Sequence, residues 1–374
     1  MGADGKSAGN MKGLELSERF YWEAVRPLLD QYFERLEHAA ALLGDGSEVL
    51  GYDDAMSTDH HWGPRALLFV RPDMYDQVAE PLHAVLAAHL PRQYRGFSTN
   101  FTLPNPSDHG VQLLEEIEEG PINHRVEVLT FAGFVRRQLN FDLAQPLTAP
   151  DWLSFSEQRL LSITGGKVFY DSIGLQEARS PFACYPRDVW LYLLAAAWTR
   201  IGQEEHLMGR AGLVGDEVGS ALIGARLVRD VMRLCFLMER TYAPYAKWFG
   251  TAFRRLNCGQ ELYGVLLSAL SAQSWQAREA HLCTAYEYLA RRHNELGLTQ
   301  PMPQETQTFF GRPLRVIALH GFAEALVAQI RDPEVMALTQ GRLVGSIDLI
   351  SDNVDFVEDL LRRPWLRQMY EMGA

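Results

Sequence analysis

Residues Gly46–Arg65 read GSEVLGYDDAMSTDHHWGPR and run directly into the apolar stretch Ala66-Leu67-Leu68-Phe69-Val70. Three aspartates (Asp53, Asp54, Asp59) and two histidines (His60, His61) lie between a Gly-Ser pair and that stretch. Groups able to hold a metal and groups able to hold a phosphate thus fall together within twenty residues. The run at 66–70 has the length and apolar continuity of a buried strand. A glycine lets backbone pass close to a ligand, and Ser47 adds a hydroxyl donor. Amides in such a bend hold oxyanions. Asp59 stands just before the strand, and His61, two residues on, points to the same face of an extended segment. Glu127 lies between Val126 and Val128 in the alternating stretch Arg125–Phe131, and meets them if the two strands are neighbours. Oxygen ligands on adjacent strands suit a Mg²⁺-nucleotide site, because Mg²⁺ prefers oxygen and shares its shell with phosphates.

Working outward, Leu14–Leu43 carries apolar residues at helical spacing, interrupted by Pro27, which opens a second helix or kinks a long one. Gly44-Asp45-Gly46 ends that run. Asp73–Leu90 predicts a helix, Gly96–Leu103 and Lys167–Tyr170 predict strands, and Trp152–Ile163 one further helix. From Pro186 the character changes. Pro186–Leu207, Gly215–Tyr242, Tyr245–Leu256, Gln260–Leu296 and His320–Arg331 all read as helices. The expected organisation is therefore a leader over 1–13, an α+β domain with a small mixed sheet over 14–180, and an all-helical domain over 181–374. The leader, MGADGKSAGNMK, is polar and glycine-rich, without the apolar core of a signal peptide.

The chain has 374 residues, 47% of them hydrophobic, enough for a sizeable core. A net charge of -12 argues against a general DNA- or RNA-binding surface. The four cysteines (Cys184, Cys235, Cys258, Cys283) form no CxxC pair, which fits reduced thiols in a cytoplasmic protein. No apolar run reaches the ~18 residues of a membrane span.

The Gly-Ser pair, the Asp-x-[acid] position a dozen residues later and the later acid between apolar residues resemble the nucleotidyltransferase superfamily of DNA polymerase beta, which includes the aminoglycoside nucleotidyltransferases. Gly51-Tyr52-Asp53-Asp54 followed by STDHHWGPR, with YPRDVWLYLLAAAWTRIGQEE (Tyr185–Glu205) and MERTYAPYAKWFG (Met238–Gly250), is similar to a bacterial family within it whose function is unassigned. The resemblance implies a site in a cleft between two domains. In it Gly46 and Ser47 hold the phosphates of ATP or another NTP. Asp59 ligates Mg²⁺ or Mn²⁺, and Glu127 serves as third acid or general base. It implies an acceptor that is a small molecule, a protein or an RNA. One departure stands out, for the second acidic position falls on His61. Imidazole suits Mn²⁺ or Zn²⁺ better than Mg²⁺. Either the metal preference has moved, or Asp53 or Asp54 supplies the oxygen, or catalysis is lost and a nucleotide-binding module remains.

Each residue also has a plainer reading. Gly46-Ser47 is equally a turn after a helix. Asp53 and Asp54 are equally helix caps, and Glu127 is equally the outward residue of a half-buried strand. Arg65, after a rigid Trp-Gly-Pro turn, is a candidate phosphate contact. In the helical half Glu204 is a candidate base for the acceptor hydroxyl, or a solvated helix-end residue. Lys247 beside Trp248 is a candidate nucleotide contact, or a packed stem with a snorkelling amine. Arg200 and His206, six apart on one helix, have a spacing similar to that of certain toxin ribonucleases, against which the acidic charge speaks.

Overall fold

Leu42 follows three alanines, and all four residues Ala39–Leu42 are buried. Their apolar spacing predicts the end of a helix, yet they form a strand. The computed structural model describes residues 11–54, 62–108 and 110–371. In it the helical run is α1 (Gly13–Phe20), a π-helical turn (Tyr21–Val25) and α2 (Arg26–Tyr32). It stops before Arg35, whose φ is +67°. The widened turn sits just ahead of Pro27. Arg26 N donates five residues back to Tyr21 O, next to a residue with no N–H to give. Alanine's helix preference is under ~1 kcal/mol per residue. A place between two hydrogen-bonded strands outweighs it, and β1 (Ala39–Leu42) has such a place.

The sheet is four-stranded and mixed, in the order β5-β2-β1-β6. β1 pairs antiparallel with β2 (Arg65–Phe69) and with β6 (Lys167–Asp171). α3 (Pro72–His89) and a two-residue hairpin of β3 (Gln93–Tyr94) and β4 (Phe97–Ser98) lead to β5 (Arg125–Leu129), which returns parallel to β2. A parallel neighbour needs such a long crossover. The stretch expected as one strand over Gly96–Leu103 is thus only β4 and an isolated bridge at Phe101. On one face of the sheet Ala40, Leu42, Leu68, Val126 and Phe169 pack with Leu16, Phe20, Val25, Leu82 and Leu86 in a single core. On the other, Phe69 meets Phe134 of α4 (Phe131–Leu139) edge-on at 5.5 Å.

Among the described residues, 11–145 and 159–183 make one compact unit and 146–158 with 184–371 make another. Trp152–Ile163 is two helices rather than one, α5 (Ala149–Ser154) and α6 (Glu157–Thr164). Glu157 and Gln158 count with the second unit, and α7 (Leu175–Arg179) with the first. The second unit continues with α8 (Arg187–Leu213), α9 (Glu217–Met238), α10 (Ala246–Phe253), α11 (Asn257–Ser271) and α12 (Trp275–Glu295). The break between α11 and α12, inside a stretch that reads as one helix, falls where Ser274 caps Ala277 N. Every residue of Val189–Trp198 is buried, which explains why this helix lacks an amphipathic stripe. The two-residue strands β7 (Gln307–Thr308) and β8 (Arg315–Val316) are followed by five short helices, α13 (Phe322–Val327), α14 (Pro333–Leu338), α15 (Ile347–Ile350), α16 (Val354–Val357) and α17 (Arg363–Glu371). No described helix is long and apolar enough to cross a membrane.

Gly166, at the entry to β6, has φ +70°, and a Cβ there would fall 1.9 Å from the Leu42 carbonyl oxygen of β1. Gly174 has φ +80° and open space around it. Gly174→Ala is therefore expected to cost only the left-handed backbone, about 1–2 kcal/mol. Gly166→Ala must also push two strands apart, so its urea midpoint should fall well below that of Gly174→Ala.

Candidate functional site

The glycine bend after β1 is held from three sides. Gly44 (φ +94°) donates its N–H to Ser162 O at 2.8 Å. Ser162 Oγ donates to Asp45 Oδ1 at 3.1 Å. Arg65, the first residue of β2, donates from Nη2 to the Asp45 carbonyl at 2.9 Å and to Glu48 Oε1 at 2.5 Å. Arg65 and Glu48 are both buried. Gly46 has φ +135°, and a Cβ there would come within 2.6 Å of Glu48 Oε2 and 2.7 Å of Arg65 Nη2. A side chain there would have to push the ends of both partners aside, on a backbone that L-residues rarely adopt. Beyond it, Tyr52 N donates to Ser47 O at 2.8 Å, so Ser47 opens a short, half-buried turn.

Asp53 is buried and accepts from Gly13 N at 2.8 Å, with Lys12 Nζ 3.6 Å from its other oxygen. Its carboxylate thus serves the start of α1, as an acid near helix N–H groups should. Asp59 and His61 lie outside the described residues, as does most of the leader. Glu127 stands on β5 opposite Leu67 of β2, while Arg125 stands opposite Arg65. Glu127 Oε2 accepts from Arg137 Nη1 of α4 at 2.6 Å, and Arg125 Nη2 lies 3.9 Å from Oε1. Burial, then the charge of Arg65, pulls the Arg125 pKa down. Three guanidinium groups therefore share this end of β2, β5 and α4 with two carboxylates. Among the described residues no three His, Cys, Asp or Glu side chains come together in a metal-binding group. Those residues alone do not make a metal centre, and Glu127 is already bonded to an arginine.

In the second unit, Glu204 accepts from Arg226 Nε at 2.8 Å, and Arg200 Nη2 lies 3.4 Å from its other oxygen. Arg200 also pairs with buried Asp230 at 3.4 Å, and burial pushes Asp230 up to about 6. Its neighbour Glu205 is the deeper residue. It accepts from Ile317 N at 2.8 Å and Ala318 N at 3.1 Å, and burial pushes it up to about 7. Lys247 is exposed, its Nζ 4.9 Å from the Trp248 ring centroid. His206 stacks on Phe309 at 4.3 Å. With Arg200 bound to Glu204 and Asp230, the two do not form a joint site.

One group of residues escaped the sequence reading. A cavity of about 290 Å³ in the second unit is lined by Arg229 and Arg233 of α9, Tyr245 and Phe249, and Asp348 and Val357 near the chain's end. Beneath it Glu157 is fully buried. Glu157 Oε2 accepts from Ala243 N at 2.8 Å and lies 3.5 Å from Arg233 Nη1, and Glu157 N donates to Asp348 Oδ2 at 3.0 Å. Burial, then the charge of Asp348, raises Glu157 to about 7. The signal in the sequence is two arginines four apart on one helix, which marks a shared face. Nothing in it links them to residue 348.

Residues 152–249 match the profile of a domain of unknown function (DUF4037). The crystal structure of a nucleotidyltransferase-like protein from Exiguobacterium sibiricum 255-15 matches 82% of this chain and 88% of its own, at 12% identity and a TM-score of 0.31. No curated protein matches the chain.

Removing one partner of a buried ion pair strands the other charge, at about 3–5 kcal/mol. Arg65→Met and Glu48→Leu should each destabilise the first unit by about that much. The double variant should recover a large part, read from urea midpoints. For Glu157 and Glu205 the folded pKa of about 7 lies above the ordinary carboxyl value of 4.5. The folded state then keeps protons that the unfolded state has lost. Stability of the second unit should therefore fall as pH rises through this window, and the fall should be shallower in Glu205→Gln. Denaturation at a series of pH values checks both. What the chain is similar to is, across residues 152–249, a domain of unknown function and, more widely, a nucleotidyltransferase-like protein.

Proposed function

We propose that the chain is a metal-dependent nucleotidyltransferase that moves an NMP, AMP foremost, from an NTP to a hydroxyl or amine on a small molecule, protein or RNA. The observation that carries this reading is the locked glycine bend at the end of β1, followed by β2 and its parallel neighbour β5, with Arg65, Arg125 and Arg137 at that end of the two strands. Backbone amides in a fixed bend and guanidinium groups beside it are the chemistry that receives a polyphosphate. In this reading Gly46 and Ser47 hold the triphosphate. Asp59, His61 and Glu127 hold a divalent ion, Mg²⁺ or Mn²⁺, which when bound neutralises phosphate charge. The acceptor oxygen or nitrogen attacks the α phosphorus, the bond to the bridging oxygen breaks, and pyrophosphate leaves. The acceptor's proton passes to a base. Arg65 positions the bend through Glu48.

His61 in place of an acid and the hold of Arg137 on Glu127 favour a second reading, a module that binds a nucleotide without turning it over. The two part on pyrophosphate. The purified chain with ATP and Mn²⁺ should show a raised melting temperature and should release pyrophosphate. Gly46→Ala should abolish both. Binding without pyrophosphate in the wild type, with release gained in His61→Asp, establishes the second reading. No stabilisation by any NTP with either metal disposes of both.

A further inference from the structure

The cavity in the helical unit has the character of a ligand site in its own right. Arg229 and Arg233 lie one turn apart on α9 and both line it. A guanidinium carries five N–H donors, and a buried one normally finds partners for most of them. Here the Arg233 side chain is only 12% exposed, its Nε is buried without a partner among the described residues, and its Nη1 is a long 3.5 Å from Glu157. Arg229 Nη2 reaches the Asp348 carbonyl only at 3.4 Å. Glu157 and Asp348 do not need these arginines for hydrogen bonds, since the Ala243 and Glu157 amides supply them at 2.8 and 3.0 Å. Hydrogen-bonding capacity on this arginine pair is thus unused among the described residues. Asp348, Asp352 and Glu358 also line the cavity, Asp348 and Glu358 already accepting from Glu157 N and Ser156 Oγ, and the rest of its wall is largely apolar and aromatic. Tyr245 stands on the rim, 38% exposed, Phe249 sits 5.4 Å below the Arg233 guanidinium, and Val354 and Val357 complete it. A pocket in which a few charged groups stand beside an apolar and aromatic lining is the usual form of a small-molecule site. Paired guanidinium forks match the planar or tetrahedral oxygens of an oxyanion.

We propose that this cavity binds a small molecule with an oxyanion, carboxylate or phosphate, on a ring-bearing apolar body. The oxyanion sits on Arg229 and Arg233, and the ring lies against Tyr245 and Phe249. The site is complete within the second unit and does not rest on the nucleotidyltransferase reading. Its test uses the full chain and four probes, benzoate, phenyl phosphate, inorganic phosphate and uncharged benzyl alcohol, titrated by calorimetry. Benzoate or phenyl phosphate should bind with a Kd below about 10 mM, tighter than inorganic phosphate, and benzyl alcohol should not bind. Whichever of the two binds more tightly identifies the oxyanion. Arg233→Met should weaken that binding at least about tenfold, a difference of ~1.4 kcal/mol. Tyr245→Ala, at an exposed rim position that leaves the fold intact, should weaken it severalfold. Arg254→Gln, at a cation over Tyr263 away from the cavity, should leave it unchanged. The proposal is overturned if neither charged probe binds in that range, if benzyl alcohol binds as tightly, if Tyr245→Ala binds like wild type, or if Arg254→Gln loses as much as Arg233→Met. Loss of NTP binding with benzoate binding retained tells against the nucleotidyltransferase reading alone.

Discussion

One buried ion pair organises the first unit. Arg65 begins β2 and Glu48 lies in the bend that follows β1, so their contact at 2.5 Å ties the end of one strand to the start of its neighbour. Taking two charges out of water costs several kcal/mol each. The cost is offset only because the geometry is close and Arg65 also reaches the Asp45 carbonyl. That second bond fixes the backbone of the bend as well as its side chains. The left-handed glycine at 46 then follows as a steric consequence, since a Cβ would occupy the space of the pair.

The same logic, a charge held by a specific partner, recurs with different partners in the two units. In the first, carboxylates meet guanidinium groups, Glu48 with Arg65 and Glu127 with Arg137. In the second, Asp230 pairs with Arg200 and Asp151 with Arg363 and Arg367, but three other buried carboxylates are held by backbone amides. Glu157 takes the Ala243 amide, Asp348 the Glu157 amide, and Glu205 two amides before α13. Amides do not neutralise charge, so burial raises Glu157 and Glu205 toward neutral pH. Arg233 of α9, 3.5 Å from Glu157, keeps its Nε without a partner among the described residues, beside a cavity of about 290 Å³.

Much of the architecture was legible before the fold was seen. The change from mixed to helical composition near residue 186, the strands at 66–70, 125–131 and 167–170 and the long helices after 186 rest on local periodicity, which a chain carries along its own length. Where the reading failed, tertiary packing had overruled that period. Ala39–Leu42 has helical character, yet burial between β2 and β6 makes it a strand. Trp152–Ile163 and Gln260–Leu296 hold a continuous apolar pattern, yet each is two helices.

The candidate site divides along the same line. The sequence alone determined which residue types cluster, the Gly-Ser pair and the acids and histidines before β2, because proximity along the chain needs no fold. Whether a given side chain is available was decided by the partner that folding brought to it. Arg65 turned to Glu48, Glu127 to Arg137, Asp53 to the start of α1 and Glu204 to Arg226. The cavity on α9 depends on residues more than a hundred positions apart, Arg229 and Arg233 against Asp348 and Val357. Only chain folding brings such residues within reach of one another, because hydrogen bonds and ion pairs act over a few ångströms and sequence separation does not encode them.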